Sequence, residues 1–135
     1  MPKGLPETTK VFGIGLSKTG TTSLGVFLVK AGFKLQEDPC EYKVKLALEN
    51  SEEMFATVQH YGAFEDVPWP LMYKECYERF PGAKFILTTR GSAEEWFTSM
   101  YNHAKRTGPT QHRRLMYGYY CPSAANRQSH IDYYN

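Results

Sequence analysis

The stretch Val11-Phe-Gly-Ile-Gly-Leu-Ser-Lys-Thr-Gly-Thr-Thr-Ser-Leu24 decides the fold. Residues 11–16 are a short apolar run rich in β-formers, and small polar residues follow. That pattern predicts a buried strand running into a turn. From residue 21 onward Leu24, Phe27, Leu28 and Ala31 fall at the spacing of one helix face, and Gly32 offers a C-terminal stop. A glycine-bearing turn between a strand and a helix presents backbone N–H groups at the positive end of the helix dipole. Such a turn favours a phosphate-like anion. Lys18 adds a mobile cation, and Thr19, Thr21 and Thr22 add hydroxyl donors. Two familiar nucleotide patterns fail here. GxxxxGK(S/T) requires glycine where Phe12 and Ser17 stand, and GxGxxG requires glycine where Lys18 stands.

Further along, residues 41–60 are mixed and charged, which predicts an exposed, partly helical segment. Residues 62–66 read as a second strand, followed by the rigid turn Val67-Pro-Trp-Pro70. A helix is expected over 71–80, with Pro81-Gly82 as its stop. Residues 83–89 form the clearest strand, and Ser92 with Glu95 reads as a capping box opening a helix to about Lys105. Strands alternating with helices predict an α/β fold with a parallel sheet and right-handed crossovers.

Composition bounds the partners. The 135 residues fit one domain, and 41% hydrophobic content is globular. Lys and Arg number 16 against 14 Asp and Glu, a formal net charge of +2. No nucleic acid is held by bulk charge at that balance. The three cysteines, Cys40, Cys76 and Cys121, are widely spaced without a CxxC pair. This argues against a disulfide framework or zinc site and for a cytoplasmic location. No metal-ligand cluster or covalent-nucleophile pattern stands out. The polar N-terminus lacks a signal-peptide core, and no run suits a membrane span. From His103 onward Lys105, Arg106, Arg113, Arg114 and Arg127 face a single acid, Asp132. Tyr117, Tyr119, Tyr120, Tyr133 and Tyr134 crowd the same tail.

The loop segment Ser17-Lys-Thr-Gly-Thr-Thr22 resembles the phosphosulfate-binding loop of sulfotransferases that use 3′-phosphoadenosine 5′-phosphosulfate (PAPS). Phe80-Pro-Gly-Ala-Lys-Phe-Ile-Leu-Thr-Thr-Arg90 with Trp96-Phe-Thr-Ser99 resembles the family's 3′-phosphate-binding strand and helix. Between them, Glu65-Asp-Val-Pro68 and Tyr73-Lys-Glu-Cys76 are similar to a segment of the small P-loop-type members. The resemblance spans residues 10–100 and implies a three-layer, P-loop nucleotide-hydrolase-like fold with a central parallel sheet.

On this resemblance, Lys18 meets the oxygen bridging phosphate and sulfate, where charge builds as the sulfuryl group leaves. Ser17, Thr19, Gly20, Thr21 and Thr22 hold the 5′-phosphate, and Arg90 holds the 3′-phosphate with Ser99. The stretch from Arg90 is one residue longer than the family's commonest spacing, so Thr98 is the alternative to Ser99. Asp66 is the candidate general base for an acceptor hydroxyl, with Glu65 and His60 as alternatives. Trp96, Trp69 and Tyr73 read as packing residues.

The family's later helices and its further basic, glycine-containing segment find no counterpart here, which implies an incomplete version of the fold. The expected organisation is an N-terminal extension over 1–9, a PAPS-binding core over 10–106 and a basic, Tyr-rich segment over 107–135 that begins a truncated helical region. That tail is expected to be exposed and poorly packed, for a partner chain or second copy to cover. The leading expectation is sulfuryl transfer from PAPS to a small hydroxyl acceptor, impaired by truncation. The alternatives are a P-loop-type nucleotide phosphotransferase and a non-catalytic nucleotide- or protein-binding fragment.

Overall fold

A computed structural model describes residues 9–135, so most of the expected N-terminal extension, residues 1–8, lies outside the described residues. Three short parallel strands, β1 (Val11–Gly13), β2 (Ala63–Phe64) and β3 (Lys84–Ile86), form one sheet in the order β2-β1-β3. Among the described residues seven α-helices accompany them: α1 (Thr21–Lys30), α2 (Cys40–Glu49), α3 (Ser51–Val58), α4 (Trp69–Arg79), α5 (Ala93–Thr107), α6 (Gln111–Tyr117) and α7 (Arg127–Tyr134). The α/β class and the parallel sheet agree with the sequence reading.

Alternation along β1 sets the two sides of the core. Phe12 packs with Phe64, Trp69, Met72 and Cys76 and with Met54, Phe55 and Val58 of α3. Val11 points the other way, into a smaller cluster with Leu28 of α1, Phe33 and Ala63. Ring centroids of Phe12 lie 4.7 Å from Phe64 and 5.6 Å from Phe85, so aromatic stacking ties all three strands at one level.

Residues 41–60 are largely helical, as expected, but less exposed than expected. They form two helices, and Lys43, Val44, Met54, Phe55 and Val58 are buried, because the four apolar ones fall on inward faces among the charges. Helix α4 begins at Trp69 rather than residue 71, since a proline is tolerated in a first helical turn. The strands are shorter than expected because β1 leaves the ladder for its loop. Ile14 N–H donates to Ile86 O at 2.8 Å, and beyond that point residues 87–89 run outside the sheet.

The tail also departs from expectation. Instead of standing exposed and loosely packed, it folds into α6, a 3-10 turn (Ala124–Asn126) and α7, which lies on α5 rather than on the sheet. His130 and Ile131 are buried, with Ile131 against Ala93 and Phe97. Tyr117 and Tyr134 pack on Trp96 at 5.8 and 5.3 Å between ring centroids. The physical reason is that α5 exposes a second apolar stripe, Trp96, Phe97 and Met100, which the sheet does not cover. Tyr119 and Tyr120 alone of the five tyrosines remain exposed.

Candidate functional site

The turn after β1 is shaped by its tethers. The carbonyl of Leu16 accepts from Thr19 Oγ1 at 2.5 Å, that of Ser17 from Trp96 Nε1 at 2.8 Å, and that of Lys18 from Arg90 Nε at 2.6 Å. Three successive carbonyls are thereby drawn outward. The backbone N–H groups of residues 17–23 keep no acceptor among the described residues, which is the usual state of a free helix N-terminus. Lys18 and Gly20 have φ of 65° and 93°, and the non-glycine value marks backbone held in a costly region. Gly15 is needed for a different reason: a Cβ there would lie 2.0 Å from Thr88 Oγ1 and 2.4 Å from Thr88 O.

Arg90 lies just past the segment that follows β3, beside the loop. Its Nη2 donates to Ser99 Oγ at 2.7 Å, so one guanidinium joins the loop carbonyl of Lys18 to α5. Ser99, rather than Thr98, is therefore the α5 residue hydrogen-bonded to Arg90. Tyr134 of α7 clasps the Arg90 backbone, accepting from its N–H at 3.1 Å and donating to its carbonyl at 3.3 Å.

Asp66 follows β2 with φ 65°, a second strained non-glycine residue. Its Oδ1 accepts from Ser17 Oγ at 2.5 Å and from Val67 N–H at 2.8 Å, and Oδ2 accepts weakly from the Cys40 thiol at 3.6 Å. Burial and then the charge of Asp66 push Cys40 up to about 12, so the thiol stays protonated. Glu65 turns the opposite way, its Cβ 3.4 Å and its Cγ 3.5 Å from the positions Cβ atoms would take on Gly13 and Gly25. Burial and then the charge of Asp66 push its carboxyl up to about 7. His60 is exposed at the N-terminal end of β2, away from the loop at the strands' carboxyl ends, and takes no part in the site. Trp69 is fully buried in the core, as its packing reading requires, whereas Tyr73 is exposed on the outer face of α4 and departs from that reading.

One cavity of about 370 Å³ gathers Ser17, Lys18, Gly20, Thr21, Thr22, Ser23, Asp66 and Arg90. A family model described as a sulfotransferase domain matches residues 10–131. The chain belongs to the sulfotransferase domain family. No curated protein matches it.

The sulfotransferase domain builds the rest of this cavity from residues that carry no local motif: Cys40, Met100, His103, His112, Arg113 and Tyr117. His103 had the clearest signal, since it follows Ser99 by one helical turn on α5. Burial, then the charges of Lys18, Arg113 and Arg106, hold its imidazole below the ordinary value, with Asp66 opposing. His112 Nδ1 and its backbone N–H meet Glu41 Oε2 at 2.5 and 3.1 Å. Burial pushes Glu41 up, but these bonds outweigh it and leave the carboxyl below its usual range. The Tyr117 hydroxyl is buried near the Ser17 side chain but makes no hydrogen bond of good geometry among the described residues; burial raises it well above an ordinary phenol, with Ser17 opposing.

The donor set suits a doubly phosphorylated anion. Free loop amides, Lys18 and the Arg90–Ser99 pair offer separate anion-binding points. Among the described residues no group of three or more His, Cys, Asp or Glu could hold a metal, and no helix is long and apolar enough to cross a membrane.

Proposed function

We propose that this sulfotransferase domain moves a sulfuryl group from PAPS to an acceptor hydroxyl, on a P-loop-type three-layer fold. The observation that carries the reading is the convergence of Lys18, Arg90 and Asp66, from three separate strand ends, on one cavity. Ligands of open α/β sheets bind at the carboxyl ends of the strands, where these three residues stand.

When bound, PAPS supplies an activated sulfuryl group. The amides of residues 17–22 and the hydroxyls of Thr21 and Thr22 bind its 5′-phosphate. Thr19 supports the loop from behind, its hydroxyl spent on Leu16 O and Thr88 Oγ1. Arg90 and Ser99 bind the 3′-phosphate, the guanidinium fork already aimed by its bond to Lys18 O. Lys18 offers its ammonium to the phosphate oxygen that takes the electron pair as the sulfur–oxygen bond breaks. Asp66 takes the proton of the acceptor hydroxyl as the new sulfur–oxygen bond forms. Its left-handed backbone and the Ser17 bond hold the carboxylate toward the loop.

Lys18→Ala tests this directly with sulfur-labelled PAPS and a panel of hydroxyl acceptors. Loss of one preorganised charge at the leaving oxygen predicts a fall in kcat of roughly 10²–10³. Transfer at an unchanged rate would remove Lys18 from the chemistry.

A further inference from the structure

Arg113 is only 3% exposed, yet among the described residues no carboxylate lies within ion-pair distance of it. Other cations have an acid at hand: Arg79 meets Glu52 at 2.5 Å, and His112 meets Glu41 at 2.5 Å. Buried Lys43 donates to Glu65 O at 3.2 Å and also acts on the Glu65 carboxyl. Arg113 has neutral partners instead. Its Nη1 donates to Gly108 O at 2.6 Å and its Nη2 to Thr107 Oγ1 at 2.8 Å, at the C-terminal end of α5. The negative end of that helix offsets part of the charge but supplies no full counter-charge. Buried cations are ordinarily paired.

Arg113 lines the cavity together with His103, His112 and Tyr117. This wall is built from α5 and α6, apart from the loop. The Tyr117 hydroxyl is unpartnered, and the His103 imidazole makes no side-chain hydrogen bond among the described residues. The positive surroundings are felt at His103, whose proton affinity Lys18, Arg113 and Arg106 all lower. The anions of the donor are already matched by Lys18, the loop amides, Arg90 and Ser99. One buried cation is left over.

We infer that the wall formed by Arg113, His103 and Tyr117 binds an anionic group (carboxylate, sulfate or phosphate) carried by the same molecule as the accepting hydroxyl, with Arg113 as the residue that selects for it. The inference rests on the sulfotransfer reading for what occupies the rest of the cavity. Neutral hydroxyl compounds then leave Arg113 uncompensated and are the poorer acceptors.

The test uses the full chain with adenosine 3′,5′-bisphosphate filling the nucleotide site and inorganic sulfate as the probe. Calorimetry follows sulfate binding, and the imidazole proton resonances of His103 are followed against pH. Sulfate is expected to bind the bisphosphate complex and to raise the pH at which His103 titrates, because an anion now offsets Lys18, Arg106 and Arg113. R113Q should weaken sulfate by about tenfold or more while leaving bisphosphate affinity unchanged. R113K should weaken sulfate less, since the charge survives without the fork. Should R113Q fail to fold, Tyr117→Phe still tests the wall and should weaken sulfate without moving bisphosphate.

Sulfate binding that ignores both Arg113 and Tyr117 would overturn the inference, because a site in the place of the transferred group depends on Lys18 instead. Weakening of bisphosphate by R113Q would also overturn it, by assigning Arg113 to the donor. If bisphosphate does not bind at all, the donor reading fails. Sulfate titrated into the free protein then tests Arg113 by itself, and an Arg113-independent result sinks this inference too.

Discussion

Arg90→Ala separates nucleotide recognition from folding. In the free protein the side chain makes two hydrogen bonds, to Lys18 O at 2.6 Å and to Ser99 Oγ at 2.7 Å, and it is exposed. Its backbone is held independently by Tyr134. Loss of the side chain should therefore cost the fold less than about 1 kcal/mol, a small change in melting temperature. The cost in the complex is larger. A hydrogen bond to a charged group contributes about 1.5–3 kcal/mol, so losing the guanidinium contact to the 3′-phosphate should raise the Kd of adenosine 3′,5′-bisphosphate by roughly 10- to 150-fold. Ser99→Ala removes a single neutral donor, for roughly a 3- to 10-fold loss. The assay is isothermal calorimetry with two ligands, the bisphosphate and adenosine 5′-monophosphate, which differ by the 3′-phosphate. Arg90→Ala should weaken only the first. Equal weakening of both ligands, or of neither, would refute the assignment of Arg90 and Ser99 to the 3′-phosphate.

Two further outcomes follow from the acids after β2. Asp66→Asn keeps a residue that tolerates positive φ, so the loop should survive while kcat for sulfuryl transfer falls by roughly 10²–10⁴; bisphosphate affinity, read by calorimetry, should stay within about threefold. Glu65, raised from 4.5 to about 7, binds its proton more tightly when folded, so its favourable contribution is complete below pH 4.5 and is lost as pH rises toward 7. The shift sets an upper bound of about 3 kcal/mol, nearer 1–2 after solvent screening. Denaturant titrations should show that slope in the native chain and a flatter one in Glu65→Gln; a slope unchanged by the substitution would remove Glu65 as its source.

What was legible in the sequence is local. The loop and α1 declare themselves because a glycine-bearing turn sits between an apolar run and a 3.6-residue pattern. Ser92 marks the start of α5, and its Oγ accepts from Glu95 N–H at 3.1 Å. Lys18, Asp66 and Arg90 could be named because each ends or follows a strand. What was hidden depends on contacts far apart in the chain. The Trp96 bond to Ser17 O and the Tyr134 clasp on Arg90 span 79 and 44 residues, and no periodicity records such pairings. Arg113 reads in sequence as one more basic residue of a charged tail, and only the packing of α6 turns it into a buried cation. The tail departs from its sequence expectation because its tyrosines pack on the apolar stripe of α5, a partner that no local pattern in the tail reveals. Short strands have the same origin, since β1 must leave the sheet early to form the loop.

The proposed function depends most on selection of a 3′-phosphorylated adenosine nucleotide by this loop and Arg90. The most direct measurement is a pair of calorimetric titrations, adenosine 3′,5′-bisphosphate against ATP with magnesium. Saturable binding of the bisphosphate is expected at least about tenfold tighter than ATP, which lacks the 3′-phosphate that Arg90 and Ser99 would hold. Tight ATP binding with no binding of the bisphosphate would contradict it.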